Sequence, residues 1–333
     1  MQEVYLTLPL YSFIFSIPHF IIHPFYATMK LMPTREKPKF KHIAIYTHNK
    51  PDKEKEEIEF LGKLLKFFTK HGVESVAGDV RTVSMLDNKI PLIDDEEKYD
   101  LKIGIGGDGT LLKMMRTLQK KGKEGLLLGI NYGTLGFLSE LHPENVFEDL
   151  EKIFEGHFDV DSRMLVKAFV WRQNSRGEKE KVFRAYALNE IVFGHGGLAR
   201  LTNYHVTVNR RVLSTFRSDG LIFATPTGST AYSMSVGGPI ISPQVNSILV
   251  TPVAPHTLSH RPIVLPPNNV FHLNFEGRFD SISMTIDGQI HFTLKPTDEV
   301  TVQAATRRAR FIRMKKSHFF RTLRNKMGWG ERK

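Results

Sequence analysis

The 333-residue chain, 41% hydrophobic and 24% charged, is long enough for about two packed domains. With no cysteine it can form no disulfide, thiolate metal site or cysteine nucleophile, so no oxidising compartment is required and a cytoplasmic protein is expected. The formal net charge of +11 points first to nucleic acid or an anionic membrane, but 11 of the 46 Lys and Arg crowd into Arg307 to Lys333 beside a single acid, Glu331. Taking that tail from the 46 basic and 35 acidic residues leaves 35 against 34, a near-neutral body. Sequence-independent nucleic-acid binding needs basic residues spread along a face, so no nucleic-acid partner is expected.

Residues 1–40 read as an extension. Tyr5 to Tyr26 is largely apolar but interrupted by Pro9, Pro18, His19, His23 and Pro24. A membrane span wants about twenty apolar residues with few breaks, and a secretory signal wants a basic start and a small-residue cleavage site. A disordered extension, a partner-binding arm, a targeting signal and a start assigned upstream of Met29 stay open, and no stable membrane insertion is expected. Residues 41–160 then alternate strand and helix. His42 to Thr47 reads as a buried strand, and Lys53 to Lys70 as a helix with its stripe at Ile58, Leu61, Leu64, Leu65 and Phe68. Asp100 to Ile105 is a second strand, followed by a glycine turn and a helix-compatible run from Thr110 to Lys121; Leu126 to Ile130 leads through another Gly-rich loop to a helix from Pro143 to Phe154. Such alternation implies a doubly wound parallel sheet covered on both faces.

Over 161–305 the runs become short and β-rich, predicting a mostly-β domain with strands at Leu165–Trp171, Arg184–Phe193, Tyr204–Val208, Gly220–Ala224, Ile248–Val253, Val270–Phe275, Ser281–Ile286 and Glu299–Ala304. Ligands often sit in the crevice between two such domains. Residues 306–333 form a basic C-terminal segment interleaved with Phe311, Phe319, Phe320, Leu323 and Trp329, which reads as partly helical with a solvated basic side.

Four clusters carry chemistry. Gly106, Gly107, Asp108, Gly109 and Thr110 follow a strand and precede a helix. There glycines let the backbone approach a phosphate while the helix N-terminus offers free N–H groups. A carboxylate repels phosphate, so Asp108 is useful only if it takes a proton from an attacking hydroxyl or holds a magnesium ion; taken alone, a tight turn with a capping aspartate accounts for the run as well. It is neither a P-loop nor a Gly-x-Gly-x-x-Gly fingerprint. A second glycine-rich loop, Asn131 to Phe137, follows the next strand. Asn189 and Glu190 interrupt an apolar strand, where burial without partners would be costly; a sheet-edge pair facing water is the other reading. The longest cluster runs Arg217-Ser218-Asp219-Gly220, Thr225 to Tyr232, then Gly237-Gly238-Pro239, with hydroxyls suited to wrapping a polar ligand and Tyr232 available to stack on a base.

Together these motifs resemble the NAD kinase family over most of residues 42 to 326. Gly-Gly-Asp-Gly-Thr is shared with diacylglycerol and sphingosine kinases. The family-specific signal is the ordered set of Asn131 to Leu138, Leu188-Asn189-Glu190, Ser218-Asp219-Gly220, Thr225 to Tyr232, Gly237-Gly238-Pro239, Thr251-Pro252 and Arg261 to Leu265. The resemblance implies transfer of the terminal phosphate of ATP to the 2′-hydroxyl on the adenosine ribose of NAD. In that reading Asp108 is the general base, Gly106, Gly107, Asp108, Gly109 and Thr110 line the nucleotide, and Asn189 and Glu190 hold the adenosine part. NAD contacts are implied for Arg200, Arg217, Asp219, Thr230, Ala231, Tyr232, Ser233, Met234, Ser235 and Gln289. It further implies a divalent cation, Mg2+, with no ligands assigned, and a homo-oligomer (dimer or tetramer) joined through the β-rich domains, with some sites completed by a neighbouring subunit. The extension before His42 and the Gly194-His195-Gly196-Gly197 loop depart from the family pattern, and His195 reads as a surface residue. Two rivals remain: a lipid kinase with the same glycine loop, which would want an apolar cleft in place of Asn189, Asp219 and Thr230, and a non-catalytic dinucleotide sensor, which would have no use for Asp108.

Overall fold

The computed structural model describes residues 38–48, 54–94, 98–115, 125–132, 136–194, 201–277, 281–314 and 319–329. The expectations for residues 1–37, for His195 and for Arg200 lie outside the described residues. The α/β region runs β1 (His42–Thr47), α1 (Glu54–Lys70), β2 (Ser75–Gly78), α2 (Val80–Met85), β3 (Leu101–Gly106), α3 (Asp108–Met115), β4 (Leu126–Asn131) and α4 (Val146–Phe154). Its strands pair in parallel in the order β2-β1-β3-β4. Alternation along β1 explains why helices cover both faces. Ile43 and Ile45 pack with Leu61, Leu64 and Phe68 of α1 and Leu150 and Ile153 of α4. Ala44 and Tyr46 face the opposite cluster, with Leu111, Met114 and Met115 of α3. Leu111 seats against Gly104 and Gly129, where no Cβ intervenes, and this sets the start of α3 close over the ends of β3 and β4.

The β-rich region continues with β5 (Asp159–Gln173), β6 (Lys179–Ala187), β7 (Glu190–Gly194), β8 (Thr202–Val208), β9 (Arg211–Ser218), β10 (Gly220–Ala224), the short α5 (Tyr232–Ser235), β11 (Ile248–Val253), β12 (Ile263–Leu265), β13 (Val270–Glu276), β14 (Ile282–Ile286), β15 (Ile290–Leu294) and β16 (Glu299–Arg313). A second sheet is ordered β12-β11-β10-β7-β14-β15. It packs on the inner faces of β5, β8, β9, β13 and β16 through Phe193, Phe223, Tyr204, Phe216 and Phe271. The sequence predicts one run from Arg184 to Phe193; the chain instead breaks at Leu188 and Asn189, leaving β6 in the first sheet and β7 in the second.

The long β16 joins the two regions. Its first part pairs with β13 and β5, and beyond an irregularity at Ala304/Arg308 it pairs with β5 again and runs parallel to β4 at Phe311 and Leu127. The segment from 306, expected to be basic and partly helical, is strand in its first part and helix further on. Residues through Arg313 are strand because Ala309, Phe311 and Ile312 fill the cores on the two faces of the parallel sheet. Helix begins only at α6 (Phe319–Met327). No helix among the described residues is long and apolar enough to cross a membrane.

Candidate active site

Asp108 is the first residue of α3, where the helix dipole and unpaired N–H groups favour an anion. Its carboxylate does not point into empty space. Oδ2 accepts the Phe137 N–H at 2.8 Å and Oδ1 accepts the Leu138 N–H at 3.1 Å. The two glycine-rich loops read separately from the sequence are thus bonded to each other through this one side chain. Gly136 makes the approach possible, since a Cβ there would overlap the carboxylate. Two N–H bonds leave further lone pairs on Asp108, which is only half-buried.

The same loop is gripped from its carbonyl side by Arg313 at the end of β16. Its Nη1 donates to the Leu138 carbonyl at 2.9 Å and to Glu140 at 3.0 Å, and Nη2 donates to the Phe137 carbonyl at 3.3 Å. Asp161 of β5 accepts from Arg313 Nε at 3.3 Å and from Arg163 Nε at 2.6 Å. Arg163 is buried, and its Nη1 reaches the Thr227 hydroxyl at 3.2 Å. Burial and then the neighbouring Arg313 lower its pKa, while the charges of Asp161 and Asp108 act in the opposite sense.

From Thr227 the network passes to the Asn189–Glu190 turn. The Thr225 N–H donates to the Asn189 carbonyl at 2.8 Å, and Gly228 lies so close to the Asn189 backbone that a Cβ would overlap it. The turn is held from below by Asp287, whose buried carboxylate accepts three successive N–H groups: Leu188 at 2.8 Å, Asn189 at 2.7 Å and Glu190 at 3.0 Å. Asp287 and Gly288, at φ of 50° and 62°, form the tight turn between β14 and β15. Asp-Gly at positive φ is a local turn signal; the three bonds to residues 97–99 positions earlier are not local.

Glu190 is buried, and its Oε2 has no hydrogen-bond partner. Burial, then the charge of Asp287, pushes its pKa up to about 8, against one backbone N–H from Tyr232. Burial also raises Asp287, to about 6, outweighing its three N–H bonds. A carboxyl raised above its ordinary value binds its proton more tightly folded than unfolded. Its stabilising contribution is therefore full below pH 4.5 and is lost as pH rises through about 8. Glu190→Gln removes that titration. The variant should lose less stability than wild type between about pH 5 and about pH 8.5, by a few kcal/mol at ~1.4 kcal/mol per pK unit. Melting curves that fall in parallel over this range would contradict the assignment.

Comparison with known proteins places this geometry. The family model of the ATP-NAD kinase N-terminal domain matches residues 34–158 and that of the C-terminal domain matches residues 188–314. The chain is 41% identical to an NAD kinase of Syntrophotalea carbinolica over 70% of this chain and 79% of that one. It is 40% identical to an NAD kinase of Carboxydothermus hydrogenoformans over 72% and 83%. The chain belongs to the NAD kinase family. Two solved structures share the fold: yeast NADH kinase complexed with NADH (TM-score 0.77, 23% identity, 88% of this chain and 89% of that one) and an NAD kinase from Archaeoglobus fulgidus in complex with ATP (TM-score 0.66, 24%, 86% and 98%).

Within this NAD kinase fold, one chain brings together only part of the set expected from sequence. Asp108, Asn189, Glu190, Thr230, Ala231, Tyr232, Met234, Ser235 and Gln289 lie on the linked loops; Tyr232, Ser235 and Gln289 are exposed. Two of the expected residues have buried side chains: the Thr110 hydroxyl lies close to Gly106 without a hydrogen-bond partner, and the Ser233 hydroxyl is bonded to that of Thr251 at 2.9 Å. Arg217 and Asp219 flank the far end of β10, where Gly220 pairs with Gly194, while Ala224 pairs with Glu190 at the near end. At about 3.4 Å per residue, Asp219 and Thr225 are on the order of 20 Å apart. Arg163, Asp161, Glu140 and Arg313 carry no signal in the sequence, since ion pairs up to 173 residues apart leave no spacing to read.

Proposed function

We propose that the chain is an ATP-dependent NAD kinase that moves the terminal phosphoryl group of ATP to the 2′-hydroxyl of the adenosine ribose of NAD, giving NADP and ADP. The observation that carries this reading is Asp108, held by two backbone N–H groups at the start of α3 beside the phosphate-directed glycines, in a chain of this family. A ribose hydroxyl is a poor nucleophile. As its oxygen forms the new bond to phosphorus, the proton passes to the open lone pairs of Asp108, and ADP leaves with the bridging oxygen. Gly106, Gly107 and Gly109 let backbone N–H groups approach the phosphates. Asn189 and Glu190, fixed by Asp287, read the adenosine, and Tyr232 offers a face to a base.

Mg2+ fits this site as a partner of the substrate. Among the described residues no group of three or more His, Asp or Glu could hold a metal ion by itself, and Mg2+ is commonly bound by one or two carboxylates with substrate phosphates. Asp108 is the protein carboxylate placed to serve. When bound, the ion neutralises charge on the triphosphate. Arg217, Asp219 and Arg200 meet NAD across a subunit boundary in a homo-oligomer, dimer or tetramer, assembled through the β-rich region. The exposed Val212, Leu258 and Val264 support an apolar contact there. We place the enzyme in the cytoplasm, with neither nucleic acid nor a membrane as partner.

Purified protein given ATP, Mg2+ and NAD should form NADP, with diacylglycerol the poorer acceptor because the Asn189, Thr230 and Tyr232 surface is polar. Excess chelator should abolish the reaction. Preference for the lipid would favour the lipid-kinase reading, and full activity in chelator would remove the cation from the scheme.

A further inference from the structure

We infer that Arg313 is a positioning residue for Asp108, acting through the peptide group between Phe137 and Leu138; this rests on Asp108 being the base. The N–H of that peptide, on Leu138, donates to Asp108 Oδ1 at 3.1 Å, and its carbonyl, on Phe137, accepts from Arg313 Nη2 at 3.3 Å. A carboxylate and a guanidinium therefore stand at opposite ends of one peptide dipole, with the acid at the N–H end and the cation at the carbonyl end. Each strengthens the other's bond, because hydrogen bonds in a chain polarise one another at low dielectric. The next carbonyl, on Leu138, takes Arg313 Nη1 at 2.9 Å, so the loop cannot pivot about a single bond.

The guanidinium is itself fixed. Glu140, almost fully buried, accepts from it at 3.0 Å and takes the Met314 N–H with its other oxygen at 2.7 Å; Asp161 accepts at 3.3 Å, and the Phe311 ring lies 5.5 Å away. The Arg313 side chain is 12% exposed and committed on every edge, so it serves the loop and not a ligand. From outside, the Phe137 ring is covered by Phe319 at 5.8 Å and by the Lys326 ammonium at 5.4 Å, both from α6. Part of the basic tail thus supports the loop that aims Asp108, which gives it a role that needs no polyanion. Arg313 reaches two carbonyls and two carboxylates from three nitrogens spread over one plane, a spread that the single nitrogen of lysine cannot reproduce.

A double-mutant cycle in turnover tests this. Arg313→Gln should lower kcat by about a hundredfold, the scale expected when a reacting group is displaced by about 1 Å, while KM for ATP and NAD stays close to wild type. In an Asp108→Asn background the same substitution should change kcat little, because its effect passes through the carboxylate. Arg313→Lys should recover only part of the loss. Effects that multiply independently, or an Arg313→Gln protein with wild-type kcat, would overturn the inference while leaving the kinase reading intact. Absence of NADP formation by the wild-type protein would overturn both. If Arg313→Gln does not fold, Arg313→Lys is carried through the same cycle. Failure of both to fold would make the arginine a requirement of the fold and overturn the positioning role.

Discussion

Asp108→Asn should cut turnover at least about a hundredfold, the low end for losing a general base, while leaving NAD affinity within a few-fold of wild type. The geometry makes this substitution less simple than the removal of one charge. Asp108 accepts from both Phe137 and Leu138, whereas an asparagine offers one carbonyl oxygen and turns its NH2 toward the second donor. One backbone N–H loses its partner, which costs about 1–3 kcal/mol when fully buried and less at this half-exposed position. A modest drop in melting temperature should therefore accompany the loss of rate. Single-turnover measurements at saturating ATP and NAD separate the two effects, since a fold defect lowers the active fraction and a lost base lowers the rate constant. Near-normal turnover would remove the base assignment. Loss of NAD affinity in step with rate would point instead to a collapsed loop.

What was legible in the sequence is what is local. The run from Gly106 to Thr110 announces a strand, a turn and a helix within a few residues, and the structure has β3, the turn and α3 there. Of the stripe expected on α1, Leu61, Leu64 and Phe68 are buried but Ile58 is 40% exposed, and Phe60 and Phe67 are buried as well, while β10 and β11 are legible as short unbroken apolar runs. Legibility fails where long-range bonds decide. Arg184 to Phe193 looks like one strand until Asp287, a hundred residues away, takes the N–H groups of Leu188, Asn189 and Glu190 and turns the chain into the other sheet. β9 escaped because its hairpin turns on Asn209 and Arg210, both at positive φ, where the usual signal would be Asn-Gly. The ionic group around Arg163 and Arg313 has no local signature, although a buried Arg163 beside the apolar run from Met164 to Val166 asks for a partner. The carboxylate of Asp108 was singled out for its chemistry, but its bonds to the second loop belong to the fold.

Asp287→Ala should have the largest effect on stability and should abolish NAD binding with it. The carboxylate satisfies three N–H groups at once, those of Leu188 and Glu190 buried and that of Asn189 partly so, and orphaning each buried one costs about 1–3 kcal/mol, less at Asn189. Alanine would also have to hold a φ of 50°, a left-handed conformation that costs roughly 1–2 kcal/mol more. At about 2–4 °C per kcal/mol for a chain somewhat smaller than this one, the melting temperature should fall on the order of 10 °C or more. Asp287→Asn gives the graded comparison. Asparagine tolerates left-handed φ, and its carbonyl oxygen can keep the Asn189 and Glu190 bonds that converge on Oδ1, while its amide is turned against the Leu188 N–H. It should melt between wild type and the alanine variant. It should also bind NAD more weakly than Asp108→Asn does, because Asp287 holds the Asn189–Glu190 turn that we propose reads the adenosine and Asp108 does not. An alanine variant that melts with wild type would show that the three N–H groups find other partners. An asparagine variant with full NAD affinity would separate this turn from nucleotide recognition altogether.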